Sequence, residues 1–265
     1  MSVKLGVIGG GVMGSAIVSR LLTQGTYQST DILISEPTLS QQASLHQQYG
    51  VEVTGDNNLA AMAPVLLLAI KPQIFERVVA DLKQPNSSQL VISILAGVSI
   101  AQLERAFPDR AVIRAMPNTP ATVGMGITAI SASEHVQPQQ LDLATQIFQA
   151  VGEVVTVPES LMDAVTGLSG SGPAYVAIAI EALADGGVAA GLPRPIADRL
   201  ALQTVLGTAQ LIQSSNLHPA QLKDRVTSPG GTTIAGIVKL EQSGFRSALI
   251  QAVIAAATRS QELGK

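Results

Sequence analysis

The stretch KLGVIGGGVMG, residues 4–14, decides the fold class. It opens with a short aliphatic run, Lys4–Ile8, that predicts a buried strand, and it continues as G-x-G-x-x-G into the helical-period segment Val12–Gln24. Glycines at such a junction permit a tight turn, close approach of the backbone to a pyrophosphate, and close packing of the helix. The helix N-terminus offers unpaired N–H groups to the same anion. The stretch therefore predicts a dinucleotide-binding βαβ unit rather than a mere glycine-rich turn.

The alternation of short aliphatic runs with periodic segments continues to about residue 158. The further predicted strands are Ile32–Ile34, Val65–Ile70, Leu90–Leu95 and Ala111–Met116. The further predicted helices are Leu39–Tyr49, Ile74–Asp81, Ile100–Phe107 and Gln140–Ala150. Because the strand runs lack polar alternation, we expect a mostly parallel sheet with helices on both faces. Residues 1–158 are predicted to form an α/β Rossmann-type domain.

From residue 159 the pattern becomes helical throughout. The predicted helices are Pro173–Ala190, Ile196–Gln213, Pro219–Val226, Thr233–Gln242 and Phe245–Leu263. Tyr175–Ala190 is apolar on almost every face, and a helix of that kind must be buried on all sides. A domain of small helices cannot easily bury it alone. We therefore predict an all-α dimerisation domain over residues 159–265, and a homodimer.

Composition excludes several classes of function. The 265 residues include 16 Lys and Arg, 19 Asp and Glu, and no Cys. Without a basic cluster there is no electrostatic reason to bind nucleic acid, and without Cys there is no disulfide, thiolate zinc site or iron–sulfur cluster. No metal ion is predicted. No apolar stretch reaches the roughly 20 residues that span a bilayer, and residues 1–13 do not resemble a signal peptide. We expect no membrane partner and a cytoplasmic location.

The end of the second predicted strand bears on the choice of nucleotide. Glu36 lies 22 positions after Gly14, where an acidic side chain can accept hydrogen bonds from an adenosine ribose and would repel a 2′-phosphate. Ser35 and Thr38 are hydroxyl donors that could still serve a phosphate, and Glu36 could instead be a solvated loop carboxylate. The pattern favours NADH without excluding NADPH.

Three later predicted strands end in turn-forming sequences. These are Ala69-Ile70-Lys71-Pro72, Leu95-Ala96-Gly97 and Met116-Pro117-Asn118-Thr119-Pro120. Ligands of open α/β sheets bind at the carboxyl ends of the strands. We expect these turns to line the nucleotide, although each alone could be structural.

The loop Thr227-Ser228-Pro229-Gly230-Gly231-Thr232-Thr233 leads into a predicted helix. First-turn N–H groups point outward and the helix dipole favours an anion, so this is a candidate carboxylate site. The hydroxyl groups of Thr232 and Thr233 lie at the same place. From spacing alone, an ordinary helix N-cap explains the loop equally well.

Few side chains are suited to strong acid–base chemistry. His46, His135 and His218 fall where surface or capping roles are expected, and no lysine occurs between Lys83 and Lys223. Oxidation of an alcohol needs a proton-transfer group. Reduction of an imine does not demand a strong base, because the substrate nitrogen can arrive already protonated. This absence argues against a hydroxyacid dehydrogenase.

The motifs, taken in order, resemble those of the pyrroline-5-carboxylate reductases. The matching stretches are Gly9–Gly14, Ala69–Pro72, Met116–Pro120, Asp163–Tyr175, Ala184–Gly187, Leu222–Asp224 and Ser228–Thr233. They extend across nearly the whole chain, and the GLSGSGPAY and SPGGTT runs are far more specific than the dinucleotide fingerprint. The resemblance implies reduction of (S)-1-pyrroline-5-carboxylate to L-proline by hydride transfer from NADPH or NADH, the last step of proline biosynthesis. It also implies dimers that assemble further into a ring, such as a decamer.

The resemblance also implies roles for individual residues. The cofactor-binding residues would be Gly9, Gly11, Val12, Met13 and Gly14 at the pyrophosphate, Asn57 at the adenosine, and Ala69, Lys71 and Ala96 along the nucleotide, with Ser35, Glu36, Pro72 and Asn118 beside them. Thr233 would be the catalytic residue, hydrogen-bonded to the imine nitrogen. The substrate-binding residues would be Ser228, Gly230, Gly231, Thr232 and, less directly, Glu159.

One position departs from the family pattern. Members that use NADPH often carry a small or basic residue where this chain has Glu36, so the departure puts a preference for NADPH in doubt. Two other classes of function remain open at this point. They are a different imine reductase and a non-catalytic protein that binds NADH without turnover.

Overall fold

The computed structural model describes residues 3–83 and 88–264. Its strands are β1 (Leu5–Ile8), β2 (Ile32–Ser35), β3 (Glu52–Thr54), β4 (Val65–Leu68), β5 (Leu90–Ser93), β6 (Ala111–Met116), β7 (Gly126–Ala132) and β8 (Gly152–Thr156). Its helices are α1 (Val12–Thr23), α2 (Leu39–Tyr49), α3 (Asn57–Ala61), α4 (Phe75–Ala80), α5 (Ile100–Ala106), α6 (Pro138–Gln149), α7 (Met162–Val165), α8 (Gly172–Ala189), α9 (Arg194–Ser215), α10 (Pro219–Arg225), α11 (Thr232–Gln242) and α12 (Phe245–Leu263).

The strands described form one sheet in the order β3-β2-β1-β4-β5-β6-β7-β8. All neighbours pair in parallel except β6 and β7, which are antiparallel. Every residue of β1, β2, β4 and β5 is buried, as expected for strands covered by helices on both faces. The strand order reverses between β1 and β4, and such a switch point is where open α/β sheets bind ligands. The predicted Rossmann-type domain is confirmed.

Two apolar clusters cover the two faces of this sheet. One includes Ile17 and Leu21 of α1 and Phe148 of α6, and the other includes Phe75 of α4 and Leu103 of α5. These helices place their apolar stripes on the strands, and this burial is the main favourable term in folding. The sheet therefore provides a rigid base for the loops at its carboxyl edge.

Three strands are missing from the sequence-based prediction. The edge strand β3 has three residues, too few for a period to show. Strand β7 reads GITAISA, in which small residues interrupt the branched ones that mark a strand. Strand β8 reads GEVVT and begins at Gly152, whose φ is +145°. Each of these strands is held by pairing with a neighbour rather than by its own composition.

By packing, the described chain divides into two compact units. One comprises the residues up to Ser171 together with those from Ala255 onward, and the other comprises Gly172–Ile254. The first unit thus includes α7 and the turn that follows it. These units reflect packing within one chain, so the predicted boundary between residues 158 and 159 stays a prediction.

The second unit is helical and buries little within one chain. Its buried cluster consists of Ala184, Ala197 and Ala201, where α8 and α9 meet through small side chains. Large apolar side chains stay exposed on its helices, among them Ile178, Leu183, Leu200, Leu202, Ile250 and Ile254. Large apolar side chains exposed in such number favour association with a partner. In the parts of the chain described, none of the helices has the length and apolar character needed to cross a membrane.

Gly6, in the middle of β1, tests the packing of this sheet against α3. A Cβ added there would overlap the backbone carbonyl of Ala60. We expect Gly6→Ala to lower the free energy of unfolding by about 1–3 kcal/mol, since overpacking against backbone cannot relax cheaply. Urea unfolding at fixed protein concentration measures this change.

Gly55→Ala is the matched control for this substitution. Its added Cβ would meet only the flexible Gln42 amide at 3.5 Å, an ordinary contact. The control should change the free energy of unfolding by less than about 0.5 kcal/mol. Equal effects of the two substitutions would contradict the close packing of β1 on α3.

Candidate functional site

The turn between β1 and α1 is built on close backbone contacts. Gly9 has φ +109°, and a Cβ on it would lie 2.5 Å from the carbonyl oxygen of Ala69. A Cβ on Gly14 would overlap the carbonyl oxygen of Gly9. By contrast, a Cβ on Gly11 would have no neighbour within 4 Å. Gly9 and Gly14 therefore serve the packing of the turn, whereas Gly11 leaves open space for a ligand.

The N-terminus of α1 is free to receive an anion. Gly11 is its N-cap residue, no side chain caps this end, and the first turn holds no acidic residue. Val12, the first residue of α1, is 75% exposed. Unpaired N–H groups and the positive end of the helix dipole favour a phosphate at such a position.

The Glu36 carboxylate is fixed next to this turn. Its Oε2 accepts the backbone N–H of Gly10 at 3.1 Å, and its Oε1 accepts that of Thr38 at 3.1 Å. The Glu36 N–H donates to the carbonyl of Thr54 at 2.9 Å, which ties the residue to the end of β3. Glu36 is therefore a held carboxylate and not a solvated loop side chain.

Ser35 and Asn57 form a pair beneath the carboxyl edge. The Ser35 side chain is buried, and its hydroxyl donates to Oδ1 of Asn57 at 2.7 Å. Asn57 is the first residue of α3, whose N-cap Asp56 accepts the Asn58 N–H. The Ser35 hydroxyl, which the sequence left available for a phosphate, is thus committed to Asn57.

The ends of β4, β5 and β6 complete this edge. Lys71 is exposed beyond β4, and Pro72 begins a short 3₁₀ turn. Ala96 lies half-buried in the turn after β5. Asn118 follows β6, and its Oδ1 accepts the N–H of Ile127 at 3.0 Å, which positions the start of β7. All the residues predicted to bind the nucleotide lie at the carboxyl edge of the sheet, and their binding roles stay predictions.

Polar groups at the opposite edge of the sheet are used by the fold itself. The buried Gln89 side chain donates to the Ala61 and Ala63 carbonyls and accepts from Arg110. Near the start of β2, the Gln28 backbone N–H and the Lys4 ammonium hold the pKa of the Asp31 carboxyl below its usual value. At this edge the polar groups named are bonded within the fold, whereas the carboxyl edge carries the N-terminus of α1, which has no side-chain cap.

The sequence analysis did not identify Arg114, which forms an ion pair with the candidate residue Glu159. Its buried guanidinium lies 3.1 Å from Oε1 of Glu159, and the same oxygen accepts the Ile100 N–H at 2.6 Å. The carboxylate thus joins β6 to the first turn of α5. Glu159 has this structural role in the first unit, and its predicted contact with substrate stays a prediction. An arginine within the apolar strand Ala111–Met116 was the signal that could have revealed the pair.

The specific GLSGSGP run has an unusual backbone. Thr166–Gly170 forms a π-helical turn, closed by the Ser171 N–H, which donates to the Thr166 carbonyl at 2.9 Å. A Cβ on Gly170 would lie 2.9 Å from the Met116 methyl group. Single π turns occur often at functional sites. The run therefore forms a π turn that lies before the predicted helix Pro173–Ala190 and that the sequence analysis did not predict.

The SPGGTT loop lies in the second unit and is built like the turn before α1. Gly230 has φ +67°, and the Gly231 N–H donates to the Ser228 carbonyl at 3.1 Å. Gly231 is the N-cap residue of α11, no side chain caps this end, and the first turn holds no acidic residue. The residues after it, Thr232 and Thr233, carry hydroxyl groups at the same end. This helix start has no side-chain cap of its own and is suited to a carboxylate.

Two protein-family models match parts of the chain. The model described as pyrroline-5-carboxylate reductase dimerisation matches residues 159–263. The model described as NADP oxidoreductase, coenzyme F420-dependent, matches residues 4–97. The first match confirms the predicted helical dimerisation domain and, with the exposed apolar helices, the homodimer.

Individual relatives match over the whole length. A pyrroline-5-carboxylate reductase from Synechocystis sp. is 62% identical over all of both chains. The solved pyrroline-5-carboxylate reductase from Coxiella burnetii is 37% identical, with a TM-score of 0.91 over 99% of each chain. The Plasmodium falciparum enzyme, solved with NADP bound, is 32% identical, with a TM-score of 0.90 over 99% of this chain and 98% of that one. The chain belongs to the pyrroline-5-carboxylate reductase family.

Proposed function

We propose that this chain reduces (S)-1-pyrroline-5-carboxylate to L-proline with NADPH or NADH as the hydride donor, as the last step of proline biosynthesis. The family and the two uncapped helix starts, one in each unit, support this function. One start suits the pyrophosphate of a dinucleotide and the other suits the carboxylate of a small acid. The observation that carries the proposal is the SPGGTT helix start, since a dinucleotide site alone would serve many reactions.

The residues at the carboxyl edge fit a nicotinamide dinucleotide. The open space at Gly11 admits a pyrophosphate close to the backbone, and the N-terminus of α1 supplies hydrogen-bond donors. Glu36 and Asn57 would bind the adenosine side, and Ala69, Lys71, Pro72, Ala96 and Asn118 would line the remainder of the nucleotide. When bound, the reduced nucleotide supplies a hydride to the imine carbon. The Plasmodium falciparum relative was solved with NADP bound, which supports a nicotinamide dinucleotide as the cofactor.

The SPGGTT loop would hold the substrate. The first-turn N–H groups of α11 would bind its carboxylate together with the Ser228 hydroxyl and the backbone of Gly230, Gly231 and Thr232. The Thr233 hydroxyl would hydrogen-bond the imine nitrogen. Glu159 would lie near the substrate, with its carboxylate held by Arg114.

Catalysis by these residues would be mainly positioning. Two anchors, one on the carboxylate and one on the nitrogen, fix the orientation of a five-membered ring, and such fixing can supply several kcal/mol of the barrier reduction. The imine nitrogen can arrive protonated, so a neutral threonine hydroxyl suffices beside it. This assignment is consistent with the lack of lysine between Lys83 and Lys223.

We also propose that the dimers assemble into a ring, such as a decamer, and that the enzyme works in the cytoplasm. The number of large apolar side chains exposed in the second unit supports assembly beyond a single small contact. The domain division at residues 158 and 159 is part of the same proposal, supported by the dimerisation family model that starts at residue 159.

The direct test is the oxidation of nucleotide by purified protein. We expect the absorbance at 340 nm to fall in the presence of pyrroline-5-carboxylate with NADH or NADPH, and proline to accumulate in equal amount. Omission of the imine is the control. Nucleotide binding without imine-dependent oxidation would refute the reductase and leave a nucleotide-sensing protein.

Thr233→Ala tests the proposed contact to the imine nitrogen. We expect kcat to fall by about 10- to 100-fold, that is about 1.4–2.8 kcal/mol, with unchanged affinity for the nucleotide. Thr233→Ser keeps the hydroxyl and should retain most of the activity. An alanine variant with full turnover would remove Thr233 from the mechanism.

Gly11→Ala tests the proposed pyrophosphate cradle. The added methyl group meets no protein atom within 4 Å, so the free energy of unfolding should change little. It would occupy space that the pyrophosphate needs, and we expect the KM for nucleotide to rise about tenfold or more. Gly14→Ala, whose methyl overlaps the Gly9 carbonyl, should instead destabilise the fold. Unchanged nucleotide KM for Gly11→Ala would place the pyrophosphate elsewhere.

A further inference from the structure

We propose that Glu36 makes NADH the preferred hydride donor of this chain, because its carboxylate occupies the backbone N–H groups of Gly10 and Thr38 and would repel the 2′-phosphate of NADPH. This inference rests on the proposed function and specifies the nucleotide class at the same site. It concerns one carboxylate of this chain whose hydrogen bonds fix it beside the glycine turn.

The hydrogen bonds of Glu36 show that its place is one that favours an anion. The Gly10 N–H belongs to the glycine turn, and the Thr38 N–H belongs to the N-cap residue of α2. The first turn of α2 has no acidic residue, and Thr38 makes no side-chain cap. Glu36 therefore supplies the negative charge that this helix start favours. A 2′-phosphate would have to displace this carboxylate or lie beside it.

No cation is available nearby in sequence to offset the repulsion. The 50 residues from Leu21 to Ile70 include β2, β3, α2 and α3, and they contain no lysine or arginine. The same segment carries further acidic side chains, Asp56 among them. Proteins that accept a 2′-phosphate commonly provide an arginine near this position. The segment around Glu36 thus supplies no basic side chain to offset its repulsion of a 2′-phosphate.

The neighbouring hydroxyl cannot take over the phosphate either. The buried Ser35 hydroxyl donates to Asn57 and has no second proton to give. A ribose diol, in contrast, donates hydrogen bonds, and each oxygen of the Glu36 carboxylate has lone-pair capacity left after accepting one N–H. The geometry therefore offers the ribose of NADH a hydrogen-bond acceptor, whereas the Ser35 hydroxyl has no proton left for the phosphate of NADPH.

The experiment compares kcat/KM for NADH and NADPH at saturating imine. We expect the unmodified chain to favour NADH by about tenfold or more, as for one uncompensated like-charge contact near the surface. Salt screens such a contact. Raising the ionic strength from about 0.05 M to about 0.5 M should therefore raise kcat/KM for NADPH and bring the NADH/NADPH ratio of kcat/KM closer to one. A preference for NADPH at low salt would overturn the inference.

Two substitutions separate charge from shape. Glu36→Gln removes the charge at nearly constant volume. It should lower the NADH/NADPH ratio of kcat/KM about tenfold, mostly because kcat/KM for NADPH rises. Glu36→Ser also frees the Gly10 and Thr38 N–H groups, so NADPH should improve further while NADH weakens. Glu52→Gln is the matched control, since it removes one exposed charge from the neighbouring strand β3. It should leave the ratio within about twofold of the original value.

The design distinguishes failure of this inference from failure of the proposed function. If neither nucleotide is oxidised, equilibrium binding of NADH and NADPH, followed by nucleotide fluorescence, still measures the selectivity. Tighter binding of NADH that is reversed in Glu36→Ser would support the inference with the reductase function refuted. Ratios unchanged in both Glu36 variants, with folded dimers retained, would overturn it.

Discussion

The close backbone contact among Gly9, Gly14 and Ala69 is the constraint on which the first unit depends. A side chain on Gly9 or Gly14 would overlap a carbonyl oxygen, so α1 can start directly above the end of β1 only because these residues are glycine. The contact places the α1 N-terminus at the switch point between β1 and β4. A helix start without a side-chain cap, held on a rigid sheet, is suited to an anion without any charged residue of its own.

The second unit also contains a helix N-terminus that follows glycines and has no side-chain cap, and its exposed apolar side chains require a partner. The start of α11 follows two glycines and has neither a side-chain cap nor an acidic first turn, as at α1. Around it, the helices bury little more than alanine cores within one chain and leave many large apolar side chains exposed. Because association removes such surface from water, this unit is suited to bind a second copy of the chain.

Sequence reasoning succeeded where structure follows from local pattern. Strands β1, β2, β4, β5 and β6 and nearly all the longer helices show as aliphatic runs or helical periods close to their observed bounds. It failed for β7, where small residues interrupt the branched ones and which is held between β6 and β8. It also failed for the π turn at Thr166–Gly170, since one extra residue in a helical turn leaves no periodic signal. The candidate nucleotide residues were found because parallel strands bring their carboxyl ends to one edge.

The amino-acid sequence by itself determined the fold class, the sheet edge that carries the site and the family, because glycine spacing, periodicity and long motifs are local properties. Only the tertiary structure decided what individual side chains do. Glu36 became a held carboxylate through the Gly10 and Thr38 N–H groups, and Glu159 became the partner of the buried Arg114. These contacts join positions up to 45 residues apart. Their geometry depends on how strands and helices are arranged in space, which no single stretch of sequence specifies.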